Sequence, residues 1–327
     1  MPKCVYTAKN PWDGPHVKIL KEGGFEFQQV YDEPNVFQED ALISVLKDAE
    51  AVIAGSEPYT PRVIANLPKL RVIARAGVGY DAVNLGACDA ANIAVCTTPG
   101  VNHHCVAEHA IALLMGVVRG FPMLDQKVRV GDWKRSPRPR LMGTTLGIVG
   151  LGRIGQAVAT RAVGLGMKVI ACDPFANAEF VKQWDIELVD RETIFKRSDY
   201  LTFHCPATKD AVHMVNAQSI ATMKPGVVII NTARGGLIDE TALVAGLKSG
   251  HIRAAGLDVF EVEPLPLSSP LLQLENVLLA GHVGGMDIES IHDTNKLAAE
   301  IIVGLSKGVW PTGCVQNLKG KESAYKW

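Results

Sequence analysis

No stretch of this sequence runs for about 18 apolar residues without a charge, so none reads as a membrane-spanning helix. Net charge is also nearly absent. The 33 Lys and Arg against 34 Asp and Glu leave −1, and no field of one sign advertises nucleic acid or an anionic membrane as partner. There is no Cys-x-x-Cys pair. The seven cysteines, at 4, 88, 96, 105, 172, 205 and 314, are odd in number and scattered, so they read as small reduced core residues rather than a zinc or disulfide framework. Internal repeats and low-complexity tracts are missing. The start, MPKCVYTAKN, lacks the basic flank and long apolar stretch of a secretory leader. We therefore expect a soluble, cytoplasmic protein whose partner is a small molecule, with no nucleic acid and no membrane.

What is present is an ordinary globular balance, 47% hydrophobic and 20% charged, in a 327-residue chain, which is longer than one core usually serves. Short β-rich runs alternate with helical segments, the pattern of a parallel sheet with crossover helices. The first third offers strands at 4–8, 25–30, 51–55, 71–76 and 93–97, with helices near 38–47, 61–66 and 84–91. A longer helix begins near His104 and ends near Gly131. Its run AIALLMGVV is apolar on every face, so we expect it to be buried between domains or between subunits. After the Pro-broken segment KRSPRPR a second series provides six strands: 145–149, 168–172, 200–204, 227–231, 253–259 and 277–281. Six is the number that two mononucleotide-binding halves supply. The apolar helix at 286–306 has no strand after it and is expected to return to the first domain. The expectation is α/β throughout: two doubly wound parallel-sheet domains, one inserted in the other, with crossings near residues 100–104 and 284–290.

The strongest local signal is Gly150-Leu151-Gly152-Arg153-Ile154-Gly155, directly after the strand TLGIV and at the head of a helical run. Gly150 permits the tight turn, Gly152 lets backbone approach a pyrophosphate, and Gly155 lets the helix pack close to the strand. The helix N-terminus then offers N–H groups and partial positive charge to the phosphates. Asp173 ends the next strand, 18 residues after Gly155, where a carboxylate meets the adenosine ribose hydroxyls and repels a 2′-phosphate. The cofactor expected is NAD. The competing reading of Asp173 is a cap on the turn at Pro174.

Hydride chemistry also requires a proton donor and a cationic clamp for a carboxylate. Arg234, Glu263 and His282 each follow a predicted strand at its carboxyl end, where open α/β sheets bind ligands. No metal is needed; His104 and Glu108 stand four apart on a helix but lack a third ligand.

With these residues in view, the chain resembles the D-isomer-specific 2-hydroxyacid dehydrogenase family, and within it short phosphoglycerate dehydrogenases and glyoxylate/hydroxypyruvate reductases. The likeness runs through RAGVGYD (75–81), TTPGVNHHCVAEHA (97–110), GIVGLGRIGQAVA (147–159), CDP (172–174), MKPGVVIINTARGGLIDE (223–240), GLDVFEVEP (256–264) and GHVGG (281–285). It implies a Rossmann NAD-binding domain (103–285) inserted into a discontinuous, flavodoxin-like substrate domain (1–102 and 286–327), homodimers built through the helix after Val101, and catalytic roles for Arg234, Glu263 and His282. It implies substrate contacts from Arg75, Ala76, Gly77, Val78, Gly79 and Asn102, with Asp258 at the nicotinamide amide. Further cofactor positions are Val78, Val106, Arg153, Ile154, His204, Cys205, Pro206, Thr208, Thr232, Ala233, His282, Gly284 and Gly285. Many members have Pro before the catalytic histidine; here Gly281 precedes His282, so the turn is expected to differ.

The expected reaction is hydride transfer between NAD(H) and a small D-2-hydroxy or 2-keto acid such as hydroxypyruvate or glyoxylate. The alternative is D-3-phosphoglycerate dehydrogenase of serine biosynthesis; from another class, an NAD-sensing corepressor shares this scaffold. Phosphate is argued both ways. Arg75 and the basic run Lys127, Arg129, Lys134, Arg135, Arg138 and Arg140 favour an anion, although that run is equally a solvated loop. Against it, the strand end where phosphoglycerate dehydrogenases have an Arg reads Ala54-Gly55-Ser56.

Overall fold

The computed structural model describes residues 1–8, 13–30, 34–323 and 325–327. Its contacts divide the chain into Met1–Asn102 with Met286–Trp327, and His103–Gly285.

The first unit holds five strands, β1 (Lys3–Tyr6), β2 (Glu26–Gln29), β3 (Ala51–Ala54), β4 (Val72–Arg75) and β5 (Ala94–Cys96). They are all parallel in the order β2-β1-β3-β4-β5, the flavodoxin-like arrangement. Helices α1 (Pro15–Glu22), α2 (Glu39–Leu46), α3 (Pro61–Ala65) and α4 (Leu85–Ala90) connect them. The central strands β3 and β4 are buried along their whole length, as a sheet covered on both faces requires.

In the second unit, α5 (His103–Arg119) and α6 (Phe121–Arg129) precede seven strands. These are β6 (Thr145–Val149), β7 (Lys168–Cys172), β8 (Glu187–Leu188), β9 (Tyr200–Phe203), β10 (Val227–Asn231), β11 (Ile252–Leu257) and β12 (Val277–Leu279). The crossovers carry α7 (Arg153–Gly164), α8 (Ala178–Gln183), α9 (Arg191–Arg197), α10 (Ala217–Thr222) and α11 (Glu240–Ser249). The order β12-β11-β10-β9-β6-β7-β8 is all parallel and reverses direction beside β6, which makes the end of β6 the topological switch point. The last helix, α12 (Ile288–Ser306), packs on α1, β3 and β4 of the first unit, as expected of a helix with no strand after it.

Two sequence expectations need correction. The helix from His104 to Gly131 is two helices bent by 56°, because Gly120 turns left-handed (φ 67°) and Pro122 cannot donate to the preceding turn. Within its own unit the apolar helix α5 packs against α7, β10, β11 and β12. The second sheet has a seventh strand, β8, whose two exposed residues make no apolar run to read. Helix α1 also escaped the sequence reading: it is eight residues long and buries only His16 and Leu20. Among the described residues no single helix is long and apolar enough to cross a membrane.

Candidate active site

Register assembles the second unit's site. Val149 pairs with Cys172 and Phe203, Asn231 pairs with Phe203 and Leu257, and Leu257 pairs with Leu279. The next residue on each of five adjoining strands is therefore Asp173, Gly150, His204, Thr232 or Asp258, a row along one carboxyl edge of the sheet. All were expected site residues, and parallel pairing alone brings them level.

The glycine loop lies at the centre of that row. Gly150 takes φ 94°, and a Cβ there would stand 2.7 Å from the backbone of His204 and Cys205. A Cβ on Gly155 would come within 2.0 Å of the Gly150 carbonyl oxygen, so only glycine lets α7 start this close to its strand. Gly152, by contrast, faces open space, and no side chain caps the first turn of α7. Open backbone at an uncapped helix N-terminus is the cradle a pyrophosphate requires.

Asp173 does more than the sequence reading assigned to it. Its Oδ2 accepts the N–H of Leu151 at 2.6 Å and its Oδ1 that of Phe175 at 2.7 Å. The carboxylate thus ties the glycine loop to the end of β7 and caps the turn after Pro174, while each oxygen retains a lone pair for a further donor. His204 pairs through Nε2 with Thr202 Oγ1 at 2.9 Å, and burial pushes its pKa down to about 3, so the ring is neutral. Burial lifts the Cys205 thiol to about 11, which makes it a packing group rather than a nucleophile. The Thr232 hydroxyl is buried and has no partner among the described residues. An orphaned buried hydroxyl is costly unless a ligand satisfies it, and together with the open Gly152 it shows that these residues fit a bound dinucleotide.

Glu263 and His282 lie further along the same edge. His282 Nδ1 donates to Glu263 Oε2 at 2.6 Å, and Glu263 Oε1 accepts the N–H of Phe260 at 3.0 Å. The hydrogen bond to Glu263 raises the His282 pKa above its ordinary value, against burial and the nearby Arg234 charge, which lower it. Burial presses the Glu263 carboxyl upward, but the bonds from His282 and Phe260 outweigh it and leave the group acidic. Both shifts favour an imidazolium on a carboxylate, with Nε2 left for a substrate.

Two backbone devices hold these groups. His282 adopts φ 57°, a left-handed conformation, directly after the Gly281 that replaces the family's proline. Its N–H donates to the Asp258 carbonyl at 2.7 Å, while the Asp258 carboxylate accepts the N–H groups of Val283 and Gly284, each at 2.8 Å. His109, on α5, sets Nε2 3.3 Å from Asp258 Oδ1. Asn231 fixes the other strand end: its Nδ2 donates to the Arg234 carbonyl at 2.8 Å and its Oδ1 accepts the Ala233 N–H at 3.0 Å. Sequence reasoning missed His109, which is far from Asp258 along the chain. Asn231 was visible at the end of VVIIN but carried no signal beyond strand termination.

The remaining expected residues are distributed as follows. Val106 is buried on α5, and Pro206 and Thr208 continue the loop after β9, where the Thr208 N–H donates to the Pro206 carbonyl at 3.0 Å. Arg153 and Ile154 begin α7, and Ala233 and Gly285 sit in the loops just described. Ala76, Gly77, Val78, Gly79 and Asn102 belong to the first unit. There Arg75 is nearly buried and its Nε holds the Gly79 carbonyl at 2.9 Å, while Gly77 O accepts the Thr98 N–H at 3.0 Å. Arg75 is thus at least a brace of its own loop. Glu108, one of the two groups weighed as a metal-ligand pair, accepts from Arg161 at 2.7 Å. In the basic run, Arg129 pairs with Asp125 at 2.7 Å and Lys127 with Asp132 at 3.9 Å, so it is partly neutralised.

A dinucleotide cradle and a histidine–carboxylate pair beside an arginine define a nicotinamide-dependent dehydrogenase. The family model for the D-isomer specific 2-hydroxyacid dehydrogenase NAD binding domain matches residues 111–284, and the chain belongs to that family. It is 38% identical to a glyoxylate reductase of Korarchaeum cryptofilum over 84% of this chain and 85% of the relative. It is 41% identical to a D-3-phosphoglycerate dehydrogenase of Mycobacterium tuberculosis over 77% of this chain but 48% of the relative, so it spans about half the length of that protein. The crystal structure of D-lactate dehydrogenase from Aquifex aeolicus, complexed with NAD and lactic acid, superposes with a TM-score of 0.82 at 27% identity, covering 93% and 96% of the two chains. The protein is an NAD-dependent D-2-hydroxyacid dehydrogenase.

Proposed function

We propose that the protein reduces a small, unphosphorylated 2-keto acid, hydroxypyruvate to D-glycerate or glyoxylate to glycolate. The observation that carries this reading is the 2.6 Å bond between His282 and Glu263, which favours the protonated ring against the nearby Arg234 charge. When bound, NADH supplies the hydride. His282 Nε2 gives its proton to the keto oxygen as charge develops there, and Glu263 stabilises the ring's charge and aims it. Arg234 holds the carboxylate and polarises the carbonyl in a two-pronged contact. Gly77, Val78, Gly79 and Asn102 are assigned to the substrate carboxylate by the family resemblance.

The 2-keto acid reading is tested by NADH oxidation with glyoxylate, hydroxypyruvate, phosphohydroxypyruvate and pyruvate. Turnover of the first two is expected, and no turnover of any of them would sink the proposal. Phosphoglycerate dehydrogenase remains the second reading, favoured by the 41% identity to the mycobacterial relative. Large apolar side chains left exposed on one segment, Phe121, Val128, Val130, Trp133 and Met142, support assembly as a homodimer. Seven free cysteines suit the reducing cytoplasm, and a balanced charge favours small molecules over nucleic acid or membrane as partners.

Glu263→Gln provides a pH test of the acid. In reduction the protonated ring is the active form, so activity is lost as pH rises through the His282 pKa. Without the carboxylate that raises this pKa, the basic limb of kcat/KM should move to lower pH. An unchanged limb would disconnect Glu263 from the acid.

A further inference from the structure

Asp258 is the hub of the turn that carries His282. It follows β11 and is 1% exposed, so its carboxylate is buried. Its carbonyl accepts the N–H of His282 at 2.7 Å, its Oδ1 that of Val283 and its Oδ2 that of Gly284, each at 2.8 Å. Three consecutive N–H groups, on a turn that includes the left-handed His282, therefore converge on one residue. Two backbone donors do not complete a buried carboxylate, which offers about four lone-pair sites. A buried charge short of donors is costly.

The missing donor comes from a helix. His109 on α5 sets Nε2 3.3 Å from Asp258 Oδ1, and this nitrogen is buried with no other partner among the described residues. Among those residues it is also the one side chain that meets the Asp258 carboxylate. A ring nitrogen facing a carboxylate carries the proton, since a lone pair there would meet like charge. Residue 284 leaves room for the approach because it is glycine: a Cβ there would stand 2.8 Å from Asp258 Oδ2 and 3.3 Å from His109 Cδ2. Burial presses the Asp258 carboxyl upward, and the donors from His109, Val283 and Gly284 together outweigh it, with His109 foremost. The other charged groups at this edge are Arg234, Glu263 and His282. The His282 pKa is raised first by its bond to Glu263 and also by the Asp258 charge, while burial and Arg234 lower it.

We propose that His109 is a positioning residue for the acid: its Nε2–H completes the Asp258 carboxylate, which in turn holds the backbone of His282, Val283 and Gly284. His109 acts through Asp258 rather than on the substrate. Helix α5 supplies the fixed point, since it packs along β10, β11 and β12 of the same unit. This rests on the reading of His282 as the proton donor. The ionised Asp258 is the form that holds the turn, so activity is lost as pH falls through its pKa. Without the His109 donor that pKa rises, and the acidic limb of kcat/KM moves to higher pH. The basic limb, which belongs to His282 and Glu263, stays.

The test is the pH profile of kcat/KM, with NADH and whichever 2-keto acid the wild type turns over best, in wild type, His109→Phe and His109→Gln. Phenylalanine keeps a ring and removes the donor, whereas glutamine carries an amide N–H at similar reach. In His109→Phe the acidic limb should rise by about one pH unit or more, the scale of one hydrogen bond to a charged group. At neutral pH kcat should fall about tenfold with KM little changed, and His109→Gln should return both quantities towards wild type. A histidine that only packs would lower the melting temperature, or the rate at every pH alike, with the limb unmoved; that result would overturn the proposal. So would a glutamine variant no better than phenylalanine. Ring-nitrogen NMR of the wild type needs no variant to fold: it should show His109 protonated at Nε2, and a bare Nε2 would also overturn the proposal. His282→Ala, measured alongside, separates the two readings. If it keeps wild-type kcat the acid assignment fails and this proposal with it, whereas a crippled His282→Ala beside an unmoved limb in His109→Phe removes this proposal alone.

Discussion

Replacing His282 with alanine should lower kcat for keto-acid reduction by roughly 10²–10⁴, about 3–5 kcal/mol of transition-state stabilisation, with NADH binding largely retained. The ring is bonded to a carboxylate at 2.6 Å with its other nitrogen left for a substrate, so its loss removes proton transfer and little else. The turn that carries it is held by backbone bonds to Asp258, at 2.7 and 2.8 Å, and these do not depend on the side chain. Steady-state kinetics with a fluorescence titration of NADH separates the two effects. A variant within a few-fold of wild type in kcat would show that the proton comes from elsewhere.

Gly235→Ala should be nearly as damaging, although its side chain touches no substrate. A Cβ at this position would stand 1.9 Å from the carbonyl carbon and oxygen of Phe260 and 2.5 Å from the Glu261 nitrogen. These are backbone atoms, so the chain itself must move. Gly235 adjoins Arg234, and the Phe260 N–H anchors Glu263, so separating the two strands' loops shifts the cation relative to the acid. A displacement of about 1 Å can cost about a hundredfold in rate. Overpacking should also cost about 1–3 kcal/mol or more of stability, which lowers the melting temperature by about 2–4 °C per kcal/mol in a unit this size. Gly236→Ala is the control: a Cβ there meets nothing within 4 Å, and both rate and melting temperature should stay near wild type. Equal behaviour of the two variants would show that the close approach at Gly235 is unimportant.

Much of this site is legible in the sequence because its chemistry follows strands. A run such as TLGIV or VVIIN announces itself by composition, and in a parallel α/β sheet the residue after each strand faces the ligand edge. Gly150, Asp173, Arg234 and His282 can therefore be chosen one by one. Elements that carry little apolar signal escape. Helix α1 buries only two side chains, β8 consists of Glu187 and Leu188, both exposed, and the break at Gly120 lies inside a greasy stretch that periodicity reads as continuous.

By itself the sequence determined the strand pattern, the glycine loop and the types of acid, base and cation, because these depend on residue identity at short spacing. Only the tertiary structure decided which of them share a hydrogen bond. That Asp258 pins the turn of His282 and that Asp173 closes the glycine loop through Leu151 are pairings between groups more than 20 residues apart. The physical reason is that parallel strands are joined by crossovers, so neighbours at one sheet edge are distant along the chain. No local spacing records which side chain will meet which.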